Sequence, residues 1–256
     1  MDSSKYLSIR SIWRTSCATM KIMSRAIVLT IALLVCVPAD AHPQAPVEHR
    51  LTTPAGLVAT VFATVPGARA IVVGPDGAAY VSQPASGQIT RLADPNHRGV
   101  AESRTVVIRG LNRPHGMAFH KGYFYVANTD GVMRMKLDAS GRAIGKPEQL
   151  NHYSDGGVHW TRSIVFGIDG AMYVSIGSSC NLCTGHPDRA LVMRYDENGQ
   201  HGQLFAKGLR NAVGLAVHPV TREIWATVNE RDNLQPNHED LPPDALYILK
   251  AGGDYG

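Results

Sequence analysis

The chain has 256 residues, 44% of them hydrophobic and 18% charged, with a formal net charge of +4. That composition excludes a disordered or fibrous protein and is sufficient for a sizeable buried core. Lys5, Arg10, Arg14, Lys21 and Arg25 against Asp2 and Asp40 carry +3 of the charge, leaving about +1 for the rest. A near-neutral body has no electrostatic attraction for nucleic acid or an anionic membrane, so neither is expected as a partner.

At the N-terminus, basic Lys21 and Arg25 precede an apolar run from Ala26 to Val37 and then Ala39-Asp40-Ala41. This order predicts a secretory signal over residues 1–41, with Met20 or Met23 as possible starts. The apolar run is shorter than the roughly 20 residues that span a bilayer, so no stable membrane span is expected. Residues 42–53 read as a linker, and the body is expected in the periplasm or outside the cell. Two cysteines fall in the leader and leave Cys180 and Cys183. In an exported protein such a pair suits a small disulfide. Haem attachment would need His where Thr184 stands, zinc would need two further ligands, and a redox dithiol would need a βαβ setting.

From residue 54 onward one layout recurs: a short apolar strand, a tight turn, and a second strand carrying an aromatic. The four aromatics are Tyr80, Tyr125, Tyr173 and Trp225. A third strand is predicted after each hairpin, over Gln88–Leu92, Gly131–Leu137, Leu191–Tyr195 and Ala245–Lys250. A period of roughly 45 to 50 residues, built of short strands and Gly/Pro/Asp turns, is that of a β-propeller blade. The expectation is an all-β chain with about four blades over residues 54–256, read as a C-terminally truncated part of a larger ring because no closing segment follows Gly252-Gly253-Asp254-Tyr255-Gly256. A complete four-bladed ring is the alternative.

Aligning the repeats brings Pro66, Asn112, His159 and Arg210 to equivalent positions in the loops before the first strands. Such loops open on one face around the axis. His159 and Arg210 are thereby predicted to be neighbours, as a base and an anion or carbonyl clamp. Asn211 adds a neutral donor and acceptor, and His115 comes from the adjoining blade. Trp160 either walls a flat ligand or packs between blades. The acidic stretch from Asn229 to Asp232, with Glu239 and Asp240, suits either solvent or a hard cation such as calcium. The other histidines read as solvated.

The stretches from Gly156 to Gly167, from Tyr173 to Cys183, from Gly208 to Ala216 and from Gly252 to Gly256 together resemble the glucose/sorbosone dehydrogenase family, and most closely its sorbosone branch. The resemblance runs from about Pro54 to Gly256. It implies a six-bladed propeller type using pyrroloquinoline quinone (PQQ) and Ca2+ to oxidise a sugar, sugar aldehyde or related alcohol. A soluble exported protein would accept the electrons. On this likeness His159 is the catalytic base, Arg210 and Asn211 hold the quinone beside Trp160 and His115, and the loop of Arg231, Asp232 and Asn233 is the calcium region. Val158 stands where the glucose enzymes carry Asp, Ala212 where they carry Pro, and their basic quinone clamps belong to later blades. A calcium-dependent lactonase and a non-catalytic binding propeller remain the alternatives.

Overall fold

The computed structural model describes residues 52–183, 186–232 and 242–256. The predicted signal segment, most of the linker and Asn233 lie outside the described residues. Sixteen strands and one 3-10 turn at Pro84–Ser86 make up the regular structure among them.

Fifteen of the strands form four antiparallel arrays in chain order. The first contains β1 (Ile71–Val73), β2 (Ala79–Gln83), β3 (Gln88–Ala93) and β4 (Ser103–Ile108). The second contains β5 (Met117–His120), β6 (Tyr123–Asn128), β7 (Gly131–Leu137) and β8 (Ala143–Gln149). The third contains β9 (Ile164–Phe166), β10 (Met172–Ile176), β11 (Leu191–Tyr195) and β12 (Gln203–Lys207), and the fourth β13 (Ala212–Val217), β14 (Ile224–Val228) and β15 (Ala245–Leu249). First strands of successive sheets lie side by side, β1 by β5, β5 by β9 and β9 by β13. Four blades of a β-propeller result, as the repeat predicted.

The second strands of blades one to three are buried along almost their whole length, whereas β14 of blade four alternates between buried and more exposed positions. Alternation within a strand decides which neighbour a side chain meets. Phe124 and Val126 join Tyr80, Ile89, Val107 and Leu111 between blades one and two, whereas Tyr125 and Ala127 join Ile164, Met172 and Val174 between blades two and three. Tyr173, Val192, Leu209, Ala212 and Ala226 fill the next interface. The outermost strands β4, β8 and β12 are more exposed and polar, and their weak patterning is why the sequence did not delimit them. Each joins its blade with a register shift, between Ile89 and Thr90, Arg134 and Lys136, and Val192 and Met193. Such bulges add local twist.

Two blades carry the same polar latch at the turn between their first strands. Tyr80 and Arg91 both donate to Asp76, at 3.1 and 2.7 Å; Tyr173 and Arg194 both donate to Asp169, at 3.2 and 2.8 Å. Blade two has no acid in its turn. There the Tyr125 hydroxyl and the Arg134 guanidinium donate instead to the Glu197 carbonyl of blade three, at 3.0 and 3.2 Å. The Gly252–Gly256 stretch does not simply trail from β15: Gly253–Asp254 forms β16, which pairs parallel to β12 of the preceding blade.

Candidate functional site

The registers test the predicted equivalence directly. Tyr80, Tyr125, Tyr173 and Trp225 lie opposite Val72, Ala118, Val165 and Ala216. Pro66, Asn112, His159 and Arg210 each precede these partners by the same interval. Antiparallel pairing puts the loop before a first strand and the loop after a second strand on one edge of the blade. The loops before β9 and β13 and those after β10 and β14 therefore share a face.

Before β9, the chain from Tyr153 to Ser163 has no ladder partner for most of its backbone, and Arg162 supplies the missing donors. Its side chain is fully buried and donates to the carbonyls of His159 and Thr161, both at 3.0 Å, and of Ser154 at 3.2 Å. Burial, and then the charge of Arg189, bring its pKa down to about 10. A charged group without a carboxylate partner is costly to bury, so the carbonyl set is what retains it. The Arg162 carbonyl in turn accepts from the backbone of Gly116 at 2.9 Å and faces His115 Nδ1 at 3.1 Å.

His159 Nδ1 lies 2.8 Å from Ser178 Oγ and 3.1 Å from the Ser178 carbonyl oxygen. A carbonyl only accepts, and the Ser178 hydroxyl directs its own hydrogen to the Cys180 carbonyl at 2.7 Å. Both partners of Nδ1 are acceptors, which fixes the proton on Nδ1 and leaves Nε2 with the lone pair. Burial, followed by the positive charge of Arg210, lowers the His159 pKa; Asp232 pulls the other way and Arg189 adds to the lowering. The neutral form therefore persists into mildly acidic solution.

Arg210 is held from two sides. Its Nε and Nη2 donate to the main-chain and side-chain oxygens of Asn181, at 2.9 and 2.5 Å, and Nη1 donates to the Asn229 carbonyl at 3.0 Å. Among the described residues, one N–H on each terminal nitrogen has no hydrogen-bond acceptor. The Asp232 carboxylate stands 3.9 Å from Nη2. The Arg210 carbonyl accepts from the Ser178 backbone at 2.7 Å, and that of Asn211 from Asn229 at 3.0 Å. Gly177 sits between the two loops: a Cβ there would lie 2.6 Å from His159 Cβ and 2.8 Å from Asn211 Oδ1. Among the described residues, Asn211 Oδ1 is buried without a hydrogen-bond partner.

The structure thus brings His159 and Asn211 together across Gly177, and the charge of the adjoining Arg210 reaches His159. Trp160 and His115 form a second group nearer the first blades. Their rings meet edge to face at 6.3 Å, and the Arg113 guanidinium lies 5.8 Å from the Trp160 ring centre. Trp160, Asn112, Arg113 and Arg69 line an open cleft of about 970 Å³. His115 is buried, and its pKa is lowered by that burial and by the charge of Arg69. Arg231 and Asp232 are exposed in the segment that follows β14. Asp232 is tied to Asn181, donating from its backbone at 3.2 Å and accepting from the amide at 2.7 Å. No group of three or more His, Cys, Asp or Glu side chains converges on a metal position among the described residues. Cys180 and Cys183 are disulfide-bonded. Ser178 and Asn181 escaped the sequence reading as site residues; they lie in the stretch leading into and across the Cys-x-x-Cys loop, but nothing in the repeat reveals their partners.

The profile of the TrAA12-like family matches residues 51–249. A Trichoderma reesei protein of carbohydrate-active enzyme family AA12 superposes with a TM-score of 0.63 at 22% identity, over 74% of this chain and 55% of that one. The holo PQQ domain of a Coprinopsis cinerea pyranose dehydrogenase gives 0.61 at 21%, over 72% and 51%. A PQQ-bound aldose sugar dehydrogenase from Streptomyces coelicolor gives 0.59 at 20%, over 75% and 63%. An uncharacterized protein of Borreliella burgdorferi is 30% identical over 78 residues, which are 30% of this chain and 20% of that one. The chain spans a little over half the length of the solved structures it resembles, and at these identities their likeness concerns the fold. The profile match covers well over half of the chain, and on that ground the chain belongs to the TrAA12-like family.

Proposed function

We propose that this propeller serves a PQQ-dependent dehydrogenase that oxidises a sugar, sugar aldehyde or related alcohol, with His159 as general base. The observation that carries the reading is the pair of acceptors on His159 Nδ1, which leaves the lone pair on Nε2 of a ring that also feels the Arg210 charge. The buried Asn211 oxygen without a hydrogen-bond partner fits a polar group at this site, and the absence of a side chain at Gly177 lets His159 and Asn211 pack against the same stretch of backbone. When bound, PQQ supplies the two-electron acceptor for the substrate's hydride. Arg210 offers its two remaining N–H groups to a carbonyl or carboxylate oxygen of the quinone, and Asn211 a further polar contact. Trp160 and His115 form the wall toward the first blades. His159 Nε2 takes the proton of the substrate hydroxyl, and its lowered pKa keeps it unprotonated for that task.

The calcium expected in the Arg231, Asp232 and Asn233 loop would be held chiefly by main-chain carbonyls, with Asp232 as the nearby carboxylate. Electrons would leave to a soluble exported acceptor. The test is reconstitution with PQQ and Ca2+ and measurement of dye reduction on aldoses and sugar aldehydes. His159→Ala is expected to lose about 10²- to 10⁴-fold in kcat, the usual contribution of a positioned base. Equal activity of the variant and the parent protein would end the assignment.

A further inference from the structure

Asn181 lies inside the four-residue loop closed by Cys180 and Cys183, and its polar atoms connect three separate segments. Its carbonyl and amide oxygens accept from Arg210 Nε and Nη2. The same amide oxygen accepts from the Asp232 backbone, and the amide nitrogen donates to the Asp232 carbonyl. Just upstream, the Cys180 carbonyl accepts the Ser178 hydroxyl, the group that leaves His159 Nδ1 an acceptor. A free Asn side chain could not hold a guanidinium in one orientation, because arginine loses up to about 2 kcal/mol of rotamer freedom when fixed. The cross-link limits the loop to few conformations, and the fork of two parallel N–H···O bonds then transmits that rigidity to Arg210.

We propose that Asn181 is a positioning residue, anchored by the Cys180–Cys183 loop, that fixes the Arg210 guanidinium beside His159 and ties it to the chain at Asp232. The role in quinone binding rests on the reading given above; the placement of the charge does not. His159 is faced by Arg210 from the loop before β13, Arg189 from the segment before β11 and Asp232 from the loop after β14. Of these, Asn181 touches Arg210 and Asp232, so loosening it shifts the balance seen by the imidazole.

The experiment follows the His159 ring by NMR across pH in the cofactor-free chain, alongside the dissociation constant of added PQQ. In Asn181→Ala the His159 midpoint is expected to rise as the guanidinium moves away, and PQQ binding to weaken roughly tenfold, the worth of one charge-assisted hydrogen bond. Leu182→Ala changes an exposed side chain of the same loop and should alter neither. Dithiothreitol on the parent chain, which opens the loop without a substitution, should move the midpoint in the same direction. A midpoint unchanged both in Asn181→Ala and under dithiothreitol, or an equal change in Leu182→Ala, would overturn the proposal. A raised midpoint in a chain that binds no PQQ would uphold the positioning role while removing the quinone reading.

Discussion

At the scale of single residues, the site depends on groups that act through their neighbours' geometry. In its proposed role as base, His159 relies on Ser178, which presents two acceptors to the same nitrogen, and on burial and Arg210, which disfavour the imidazolium. Its lowered pKa means that the neutral form is kept to a lower pH than in a free histidine. The acid limb of a kcat/KM profile should therefore sit below the usual histidine pKa, and should move up in Arg210→Met. Gly177 faces a steric limit: Gly177→Ala would place a methyl against both His159 and Asn211. A loss of about 1–3 kcal/mol, the usual cost of overpacking, is expected in urea unfolding, with weakened PQQ binding. Arg162→Met leaves the His159 and Thr161 carbonyls without their donor, and about 1–3 kcal/mol of destabilisation should appear in the same measurement. Neither Arg162's carbonyl set nor the orphaned Asn211 oxygen could be read from residue types alone. Both depend on where a non-repetitive loop turns.

At the scale of elements, the hairpins of blades one and three carry equivalent Asp-Tyr-Arg latches. Burial alone would raise the Asp76 and Asp169 pKa values, but hydrogen bonds from Arg91 or Arg194, the turn backbone and the tyrosines outweigh it and lower both. A carboxyl whose pKa is depressed on folding adds stability above its unfolded pKa, and that stability is lost as pH falls through the folded value. Asp169→Asn should lower the melting temperature at neutral pH and flatten its decline below about pH 4, as calorimetry over a pH series would show; an unchanged acid limb would contradict the latch. The hairpin strands were legible because their alternation and turns are local: Tyr80, Tyr125, Tyr173 and Trp225 fall in the second strands β2, β6, β10 and β14, as the repeat predicted. The outer strands were not, since their residues are half exposed and their pairing is set by the blade's edge. β16 illustrates the same limit, as its partner β12 lies well upstream and belongs to the preceding blade.

For the whole molecule, binding can be separated from turnover. A ligand that binds only the folded chain stabilises it by an amount set by concentration over affinity, about 2.7 kcal/mol at a hundredfold excess over Kd. PQQ with Ca2+ should therefore raise the melting temperature, and a chelator should remove the part that depends on the cation; no response to either would contradict a cofactor pocket. The sequence by itself determined the blade period, the hairpin strands and the equivalence of the loops holding His159 and Arg210. Those follow from hydrophobic alternation and turn chemistry, which act over a few residues and repeat. Only the tertiary structure decided that Gly177 lies between His159 and Asn211, that Ser178 fixes the tautomer, and that Asn181 grips Arg210. Such contacts join loops far apart in the chain, and their partners are set by how neighbouring blades pack.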